Sequence, residues 1–360
     1  MDNSSQRLIL RLNPACEIPE FADAMRSVLF GDGPCLGFGE ISSRFAPKQA
    51  AFVFATSGSS GSTKEVVLEA ASVIASAKAS NLLIGAKEGD IWSQLLPLTH
   101  IGGANVVVRS ILLGTLPIDL RNFQGDYPSV DFTSIVPTQL FKAINGDDGL
   151  LNHLREAKKV LVGGALLSKG LRNQAQDLGI NVVATYGMTE TCGGCIYDGI
   201  ALDGVEVKVV DKRIYLRGPI LALTYLNSPW VLQDGWFATN DLGEIVDGQL
   251  FPLGRLDDVI ITGGENLSLN AVESSLSLAF PKLQIAAFAI EDLQWGQTLQ
   301  LAIVGDFTES QISSHLENEF GLFAKPKRLY KLDSLPLLGI GKVDRLTLVK
   351  KFSNEITELN

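Results

Sequence analysis

Apolar residues follow two alternating patterns between residues 51 and 185. Short runs rich in Val, Ile and Phe are typical of buried strands, and the longer amphipathic stretches between them are typical of helices. These segments are 51–55, 66–84, 104–113, 132–136, 138–145, 159–162, 168–178 and 181–185. The alternation predicts strand and helix units that build a mostly parallel sheet flanked by helices.

The pattern changes at about residue 204. Short strand-like runs occupy 205–210, 213–217 and 243–246, and Asp247 with Gly248 is a typical hairpin turn. A small β subdomain is therefore predicted over about 204–253.

The last part of the chain has a third pattern. It predicts, in order, a helix over 269–279, strands over 285–290 and 299–304, a helix over 309–320 and a strand near 328–332. We therefore expect an α/β protein with two domains. The large N-terminal domain, residues 1–255, contains mostly parallel sheets and the β subdomain, and residues 256–360 form a small α+β C-terminal domain.

Composition narrows the class of protein. A chain of 360 residues, 46% hydrophobic and 19% charged, suits a globular protein of about two to three domains. The net charge of −10 and the lack of a long Lys/Arg cluster argue against a nucleic-acid partner. No apolar run approaches the ~20 residues that span a bilayer, and Arg11 ends the short N-terminal apolar patch. We expect no signal peptide and no membrane anchor, and the scattered cysteines suit the cytoplasm.

The candidate chemistry begins where the strand at 51–55 runs into hydroxyl groups, two glycines and a lysine. Glycines let the backbone approach an anion, hydroxyls and backbone N–H groups donate to phosphate oxygens, and Lys64 adds a positive charge. The predicted phosphate-binding loop contains Thr56, Ser57, Gly58, Ser59, Ser60, Gly61 and Lys64. Its Gly-x-x-Gly-x-x-Lys spacing differs from the ordinary P-loop, so a plain surface loop is the alternative.

Further candidates follow two predicted strands. Gly163 and Gly164 end the strand at 159–162 and leave room for a flat ring. Tyr186 ends the next strand and can stack on a base, and Thr189 and Glu190 offer a hydroxyl and a carboxylate suited to magnesium. Ligands of open α/β sheets gather at such strand ends. A strand terminus with a turn is the alternative in each case.

Three charged residues in other segments add to this set. Asp241 follows an aromatic turn, where its carboxylate can accept hydrogen bonds from both ribose hydroxyls. Lys342 lies on a glycine-flanked loop, although a lone loop lysine is usually just solvated. Arg109 interrupts the apolar run 105–113, where a buried cation is costly unless it is paired.

Taken together, these motifs resemble those of the adenylate-forming acyl-CoA synthetases. The phosphate loop is followed, in the family's order, by the motifs at 186–190, 235–241, 254–258 and 341–345. The segments 96–103, 134–140, 160–165 and 186–192 are most similar to the o-succinylbenzoate–CoA ligases of menaquinone biosynthesis. Because their substrate is an aromatic dicarboxylic acid, we expect Arg109 to anchor a substrate carboxylate. An ion pair inside the fold is the alternative.

The resemblance implies an AMP-forming acid–thiol ligase. In such enzymes a carboxylate attacks the α-phosphate of ATP to give an acyl-adenylate and pyrophosphate, and CoA then accepts the acyl group. Mg²⁺ is the implied cofactor and Glu190 its implied ligand, while Lys342 stabilises the transferring phosphate. The implied nucleotide-binding residues beyond the loop are Gly164 and Tyr186 at the adenine, Asp241 and Arg255 at the ribose, and Gly187, Met188 and Thr189.

The resemblance also implies that the C-terminal domain is mobile. It would rotate around Asp257 between the two steps, which removes Lys342 and opens a channel for the CoA thiol. His100 would lie between the acyl pocket and the thiol entrance, with Gly163 also at the acyl group; a hydrogen-bonded core histidine is the alternative for His100. The expected partners are ATP, CoA and the acid, and a homodimer is an open possibility.

The chain departs from the family at three positions. Thr63 and Glu65 stand where a proline and a glycine usually flank the loop lysine, and Asn240 replaces the glycine that usually precedes the aspartate. Only about fifty residues precede the phosphate loop, so we expect a compact variant. The alternatives are another acyl- or aryl-CoA ligase, an adenylating enzyme with a carrier-protein acceptor, and an inactive binding protein.

Overall fold

The computed structural model describes residues 6–13, 15–57, 63–338 and 343–357. Four residues of the predicted phosphate loop, Gly58, Ser59, Ser60 and Gly61, lie outside these ranges, and so does Lys342. Their predicted roles therefore stay predictions.

Helices and strands alternate through most of the described chain. The helices are Ile18–Phe30 (α1), Ala70–Ile84 (α2), Ile101–Leu112 (α3), Pro137–Ile144 (α4), Asp148–Glu156 (α5), Lys169–Asp177 (α6), Leu269–Ala279 (α7), Glu309–Phe320 (α8) and Arg345–Thr357 (α9). The strands are Gln6–Arg11 (β1), Cys35–Phe38 (β2), Phe45–Pro47 (β3), Ala50–Ser57 (β4), Thr63–Glu69 (β5), Trp92–Gln94 (β6), Ile118–Asp119 (β7), Phe132–Ile135 (β8), Lys159–Val162 (β9), Val182–Met188 (β10), Gly193–Tyr197 (β11), Ile200–Ala201 (β12), Glu206–Val210 (β13), Arg213–Arg217 (β14), Thr224–Tyr225 (β15), Phe237–Val246 (β16), Gln249–Arg255 (β17), Val259–Thr262 (β18), Glu265–Ser268 (β19), Gln284–Asp292 (β20), Gly296–Val304 (β21) and Arg328–Lys331 (β22).

Two sheets form the first part of the molecule. A six-stranded sheet has the order β15-β5-β4-β2-β1-β3, and a seven-stranded sheet has the order β12-β11-β10-β9-β8-β6-β7. In the second sheet β10, β9, β8, β6 and β7 are parallel, which confirms the predicted parallel sheet. In the first sheet β4 and β5 are antiparallel, so the strand that carries the predicted phosphate loop turns back on itself.

The segment 66–84, predicted as one unit, is two elements. Val66, Val67 and Leu68 are fully buried in β5, and α2 begins directly afterwards at Ala70. No turn residue separates the two elements. Helix α2 contacts β4 and β5 on one side and β11 on the other, so it is covered on several sides and lacks a clear polar face. The hydrophobic pattern of residues 66–84 therefore did not indicate where β5 ends and α2 begins.

Helices α2 and α3 lie together between the two sheets. Helix α3 packs against α1 and α2 and contacts β6, β8 and β11 of the seven-stranded sheet. Its residues 103–110 are all buried, and they include Arg109. Each fully buried apolar side chain here contributes roughly 1.5–3 kcal/mol relative to exposure. A charged side chain such as Arg109 is costly to bury among these apolar residues, so its presence calls for a structural or a ligand-binding explanation.

The β subdomain and the C-terminal α+β lobe follow. Strands β13, β14, β16 and β17 form a four-stranded antiparallel sheet, with the predicted turn at Asp247 and Gly248 in left-handed geometry. Helices α7 and α8 have the predicted bounds and pack with the sheet of β18 to β22. The α/β class with this subdomain is confirmed. The strands β18 and β19 and the helix α9 were not predicted.

Candidate active site

The β4–β5 hairpin fixes both ends of the predicted phosphate loop. Thr56 is paired with Lys64, and Ser57 with Thr63, across the two antiparallel strands. The Thr56 hydroxyl also donates to the Lys64 carbonyl over 3.4 Å. The hairpin thus holds the start and the end of the predicted loop side by side, with the lysine on the return strand.

The segment 225–227, which the sequence analysis did not single out, holds Lys64 in place. The Asn227 side chain donates to the Thr63 carbonyl over 2.7 Å and accepts from the Glu65 N–H over 3.0 Å. It therefore binds the backbone on both sides of Lys64. The ammonium of Lys64 lies 5.0 Å from the centre of the Tyr225 ring, on its face.

Tyr225 links this lysine to the predicted magnesium ligand. Its hydroxyl donates to Glu190 Oε1 over 2.8 Å. Glu190 lies on a 3₁₀ turn, Thr189–Thr191, directly after β10, and its carbonyl accepts from the Ala222 N–H over 2.8 Å. The structure thus brings Lys64 and Glu190 to the two sides of one tyrosine.

The donor groups at this position suit a magnesium ion that is held mainly by phosphate. Among the described residues, no group of three or more His, Cys, Asp or Glu side chains gathers where it could hold a metal. Mg²⁺ usually binds proteins through one or two carboxylates together with substrate phosphates. The Glu190 carboxylate uses Oε1 for Tyr225 and has a second oxygen. These residues fit the predicted ion.

Tyr186, Asp241, Arg255 and Asp257 form a second connected group. The Tyr186 hydroxyl donates to Asp241 Oδ2 over 2.8 Å, and Arg255 Nη1 lies 3.5 Å from Asp241 Oδ1. Arg255 Nε donates to Asp257 Oδ1 over 2.8 Å, so the predicted hinge residue is tied to the predicted ribose site. Burial raises the pKa of Tyr186, and the charge of Asp241 adds to this effect. Tyr186 therefore remains a hydrogen-bond donor.

Two of the predicted glycines are required by close packing. A Cβ atom on Gly163 would lie 2.2 Å from Thr185 Oγ1, and one on Gly187 would lie 2.1 Å from the Gly193 carbonyl oxygen. Both positions lie at strand ends of the seven-stranded sheet, and Gly164 next to the first is exposed. Met188 and Thr189 are half-buried beside them.

Helix α3 and the residue before it carry two of the three predicted acyl-site residues. His100 is half-buried at the residue before the helix, where its carbonyl accepts from the Ala104 N–H over 2.9 Å. Arg109 lies in the last turn and is only 4% exposed. Its guanidinium donates to the Tyr197 hydroxyl over 3.1 Å and to Ser134 Oγ over 3.4 Å.

Among the described residues, Arg109 has hydrogen-bond partners but no counter-ion. Its guanidinium lies 5.2 Å from the centre of the Trp92 ring, and its Nε has no hydrogen-bond partner in the described structure. No carboxylate of the described residues forms an ion pair with it. The alternative of an ion pair inside the fold is therefore not supported within the described ranges.

The unusual Glu65 beside the loop lysine has a structural explanation. Its side chain is buried, and Oε1 accepts from the backbone N–H groups of Ser42 and Ser43 and from the Ser42 hydroxyl. Burial alone would raise the pKa of Glu65, but these hydrogen bonds outweigh burial and lower it. An ionised Glu65 thus fastens the residue after Lys64 to the 42–43 segment.

Residues 15–226 match the AMP-binding enzyme family, and the chain belongs to that family. This match and the ligase relatives described next confirm the AMP-forming acid–thiol ligase class that the resemblance implies. Among the described residues, no helix has both the length and the apolarity needed to cross a membrane.

Within this family the chain belongs with the 2-succinylbenzoate–CoA ligases, whose substrate is also called o-succinylbenzoate. It is 37% identical over 330 residues to the probable 2-succinylbenzoate–CoA ligase of Mycobacterium tuberculosis, covering 85% of each chain. It is 30% identical to the 2-succinylbenzoate–CoA ligase of Staphylococcus epidermidis, covering 87% of this chain and 72% of that one.

A solved structure has the same fold. The o-succinylbenzoate coenzyme A synthetase of Bacillus subtilis, solved in complex with ATP and a magnesium ion, superposes with a TM-score of 0.70 at 25% identity. The alignment covers 87% of this chain and 72% of that one.

Proposed function

We propose that this protein converts o-succinylbenzoate to o-succinylbenzoyl-CoA through an acyl-adenylate, with release of pyrophosphate and AMP. The observation that carries the proposal is the buried Arg109, whose guanidinium lacks a counter-ion in the described structure. Leaving a cation buried without a charge partner is costly, so the site is suited to a ligand that brings an anion. A dicarboxylic acid brings one carboxylate to react and a second to bind.

Helix α3 connects this anchor to the reacting centre. The Asn105 side-chain amide donates to the Cys192 carbonyl, two residues after Glu190. Arg109 lies one helical turn further along, about 6 Å along the helix axis. An acid bound to Arg109 would thus extend along α3 toward the β10 end, where the nucleotide groups gather. Gly163 and His100 would line the acyl group there.

The nucleotide is proposed to lie across the two connected groups of side chains. Lys64 and the loop 56–61 would hold the β- and γ-phosphates, and Glu190 would hold Mg²⁺, which neutralises phosphate charge when bound. Tyr186 with Gly164 would contact the adenine, while Asp241 and Arg255 would contact the ribose. Gly187, Met188 and Thr189 complete the ATP site.

Lys342 is proposed to stabilise the charge that develops as the acid attacks the α-phosphate. Residues 256–360 would then rotate around Asp257, removing this lysine and admitting the CoA thiol past His100. The ion pairs of Arg255 with Asp241 and with Asp257 support a hinge at this position. The proposal includes a cytoplasmic location and a homodimer.

The test is pyrophosphate release with ATP, Mg²⁺ and o-succinylbenzoate, with and without CoA, on wild type and Lys342→Ala. We expect pyrophosphate with this acid, its CoA thioester when CoA is present, and a loss of roughly 10²–10³-fold in adenylation for Lys342→Ala. Thioester formation from a supplied acyl-adenylate should change much less, because Lys342 serves the first step. Lys282→Ala, at an exposed lysine, is the matched control.

Other outcomes separate the alternatives. Turnover of a different acid, with no reaction of o-succinylbenzoate, would replace the substrate and keep the ligase class. An acyl-adenylate that reacts with carrier-protein phosphopantetheine but not with CoA would change the acceptor. If no carboxylic acid gave pyrophosphate release, the result would contradict the proposal and favour a binding protein.

A further inference from the structure

Tyr225 lies between the two oppositely charged groups proposed to hold the nucleotide phosphates and their metal. Its hydroxyl donates to Glu190 Oε1 over 2.8 Å, while its ring face lies 5.0 Å from the Lys64 ammonium. Both distances suit direct interaction, one a charge-assisted hydrogen bond and the other a cation–π contact. A single side chain thus contacts both charged groups.

The tyrosine itself is held on several sides. Thr224 and Tyr225 pair with Val67 and Val66 of β5, directly beyond Lys64. The ring of Trp230 packs edge-on against the Tyr225 ring, with 5.0 Å between the ring centres. The side chain therefore has a fixed orientation before any ligand binds.

This placement keeps the lysine and the carboxylate from neutralising each other. Although Lys64 and Glu190 both contact the same tyrosine, they form no ion pair in the described structure. A direct pair would occupy the carboxylate and the ammonium that the proposed function needs for metal and phosphate. The phenol uses one oxygen of Glu190 and leaves the second oriented, and ligating carboxylates generally depend on such hydrogen bonds.

We propose that Tyr225 is a positioning residue that presents the Glu190 carboxylate to the metal of Mg²⁺–ATP and seats the Lys64 ammonium on its ring. The inference rests on the proposed function. The Tyr225 hydroxyl acts through Glu190, and the ring acts through Lys64.

The test separates the effect of the Tyr225 hydroxyl from the effect of its aromatic ring. Tyr225→Phe removes only the hydroxyl, and Tyr225→Leu removes the aromatic face as well. Mn²⁺ binding in the presence of ATP is followed by electron paramagnetic resonance, together with pyrophosphate release against Mg²⁺ concentration. For Tyr225→Phe we expect about 10-fold weaker Mn²⁺ binding and an equal rise in half-saturating Mg²⁺, with the KM for the acid unchanged. Tyr225→Leu should also raise the KM for ATP.

Two comparisons make the result specific. Tyr127→Phe removes a hydroxyl that donates to the Phe123 carbonyl over 3.3 Å and should leave metal binding unchanged. In a Glu190→Gln background, Tyr225→Phe should cost no further Mn²⁺ affinity, because the hydroxyl acts through that carboxylate. A purely structural role would add a similar loss in both backgrounds and lower the melting temperature.

Wild-type Mn²⁺–ATP affinity in Tyr225→Phe would overturn the inference, and so would an undiminished loss in the Glu190→Gln background. Neither of these Mn²⁺-binding measurements depends on which acid the enzyme uses. If o-succinylbenzoate gives no pyrophosphate but Mn²⁺–ATP binding responds as expected, the substrate assignment fails and the role of Tyr225 stands.

Discussion

Two largely buried arginines of this protein have opposite surroundings. Arg345, at the start of α9, has a side chain 25% exposed and lies 2.8 Å from Glu273 Oε1 and 3.4 Å from Asp258 Oδ2. Its Nε donates to the Ala287 carbonyl over 2.9 Å. Arg109 is more deeply buried, and its described polar contacts are hydroxyl groups.

The difference distinguishes a structural charge from a binding charge. The charge of Arg345 is compensated within the fold, and its contacts join α7, β20 and the turn at Asp258 to α9. Within the described residues, the charge of Arg109 is met by hydroxyl dipoles and an aromatic ring face. We therefore expect removal of Arg345 to cost stability, and removal of Arg109 to cost substrate binding.

Of the effects that follow from this comparison, the largest is expected on catalysis by Arg109→Met. Loss of a buried charge partner of the substrate should cost about 3 kcal/mol, or roughly 10²-fold in kcat/KM for o-succinylbenzoate. The free energy of unfolding should change by less than about 1 kcal/mol, since relief of desolvation offsets the lost hydrogen bonds. Pyrophosphate release and denaturant unfolding measure the two quantities.

A substrate analogue sharpens this experiment. 4-Oxo-4-phenylbutanoate is o-succinylbenzoate without its ring carboxylate, so it lacks the second charge. It should react poorly with wild type and no worse with Arg109→Met. If the substitution harms both acids to the same degree, Arg109 supports the fold of the pocket and does not bind the carboxylate.

The next largest effect is on stability in Arg345→Met. This change leaves Glu273 and Asp258, whose side chains are 21% and 17% exposed, without their shared cation. We expect a loss of about 2 kcal/mol in the free energy of unfolding, below the range for fully buried pairs because these groups are partly solvated. The control is Lys331→Met, which breaks an exposed pair with Asp306 and should leave stability nearly unchanged. Equal losses in both variants would refute the distinction.

Local pattern was enough to predict much of the fold. Helices α7 and α8 have the predicted bounds because each buries one face, and the Ser268 side chain caps α7 by accepting from the Ala271 N–H. The hairpin at Asp247 was predictable because its turn needs residues that tolerate a positive φ. The end of β5 was not predictable from the sequence, because Glu69 leads directly into helix α2, which is covered on several sides.

The site was predictable as a set of residues but not as a set of contacts. Tyr186, Asp241, Arg255 and Asp257 belong to separate motifs, and the fold joins them in one chain of polar contacts. No motif in the sequence analysis pointed to Tyr225. It lies in a two-residue strand, and its importance depends on pairing with β5, far earlier in the sequence.

The smallest expected effect concerns a third buried base, His153, which completes the comparison. Its Nδ1 lies 2.8 Å from the Pro128 carbonyl, which can only accept, so Nδ1 carries the proton. Its Nε2 lies 2.9 Å from the Ser93 hydroxyl oxygen, which also donates to Thr133 Oγ1 over 2.7 Å. Both ring nitrogens thus have a polar partner within the fold. Unlike Arg109, this residue therefore implies no ligand, and its substitution should leave the KM for the acid unchanged.

His153 should instead make stability depend on pH. Burial lowers the pKa of His153 below its ordinary value of 6.5, so the folded state binds a proton less readily than the unfolded state. Above pH 6.5 both states are neutral and the full stability is present; as the pH falls below 6.5 the unfolded state gains the proton first, and stability is lost. His153→Gln should be less stable at pH 8 by about 1 kcal/mol and lose less stability between pH 7 and pH 5. Denaturant unfolding at these pH values measures both, and an unchanged slope would show that other groups set the acid sensitivity.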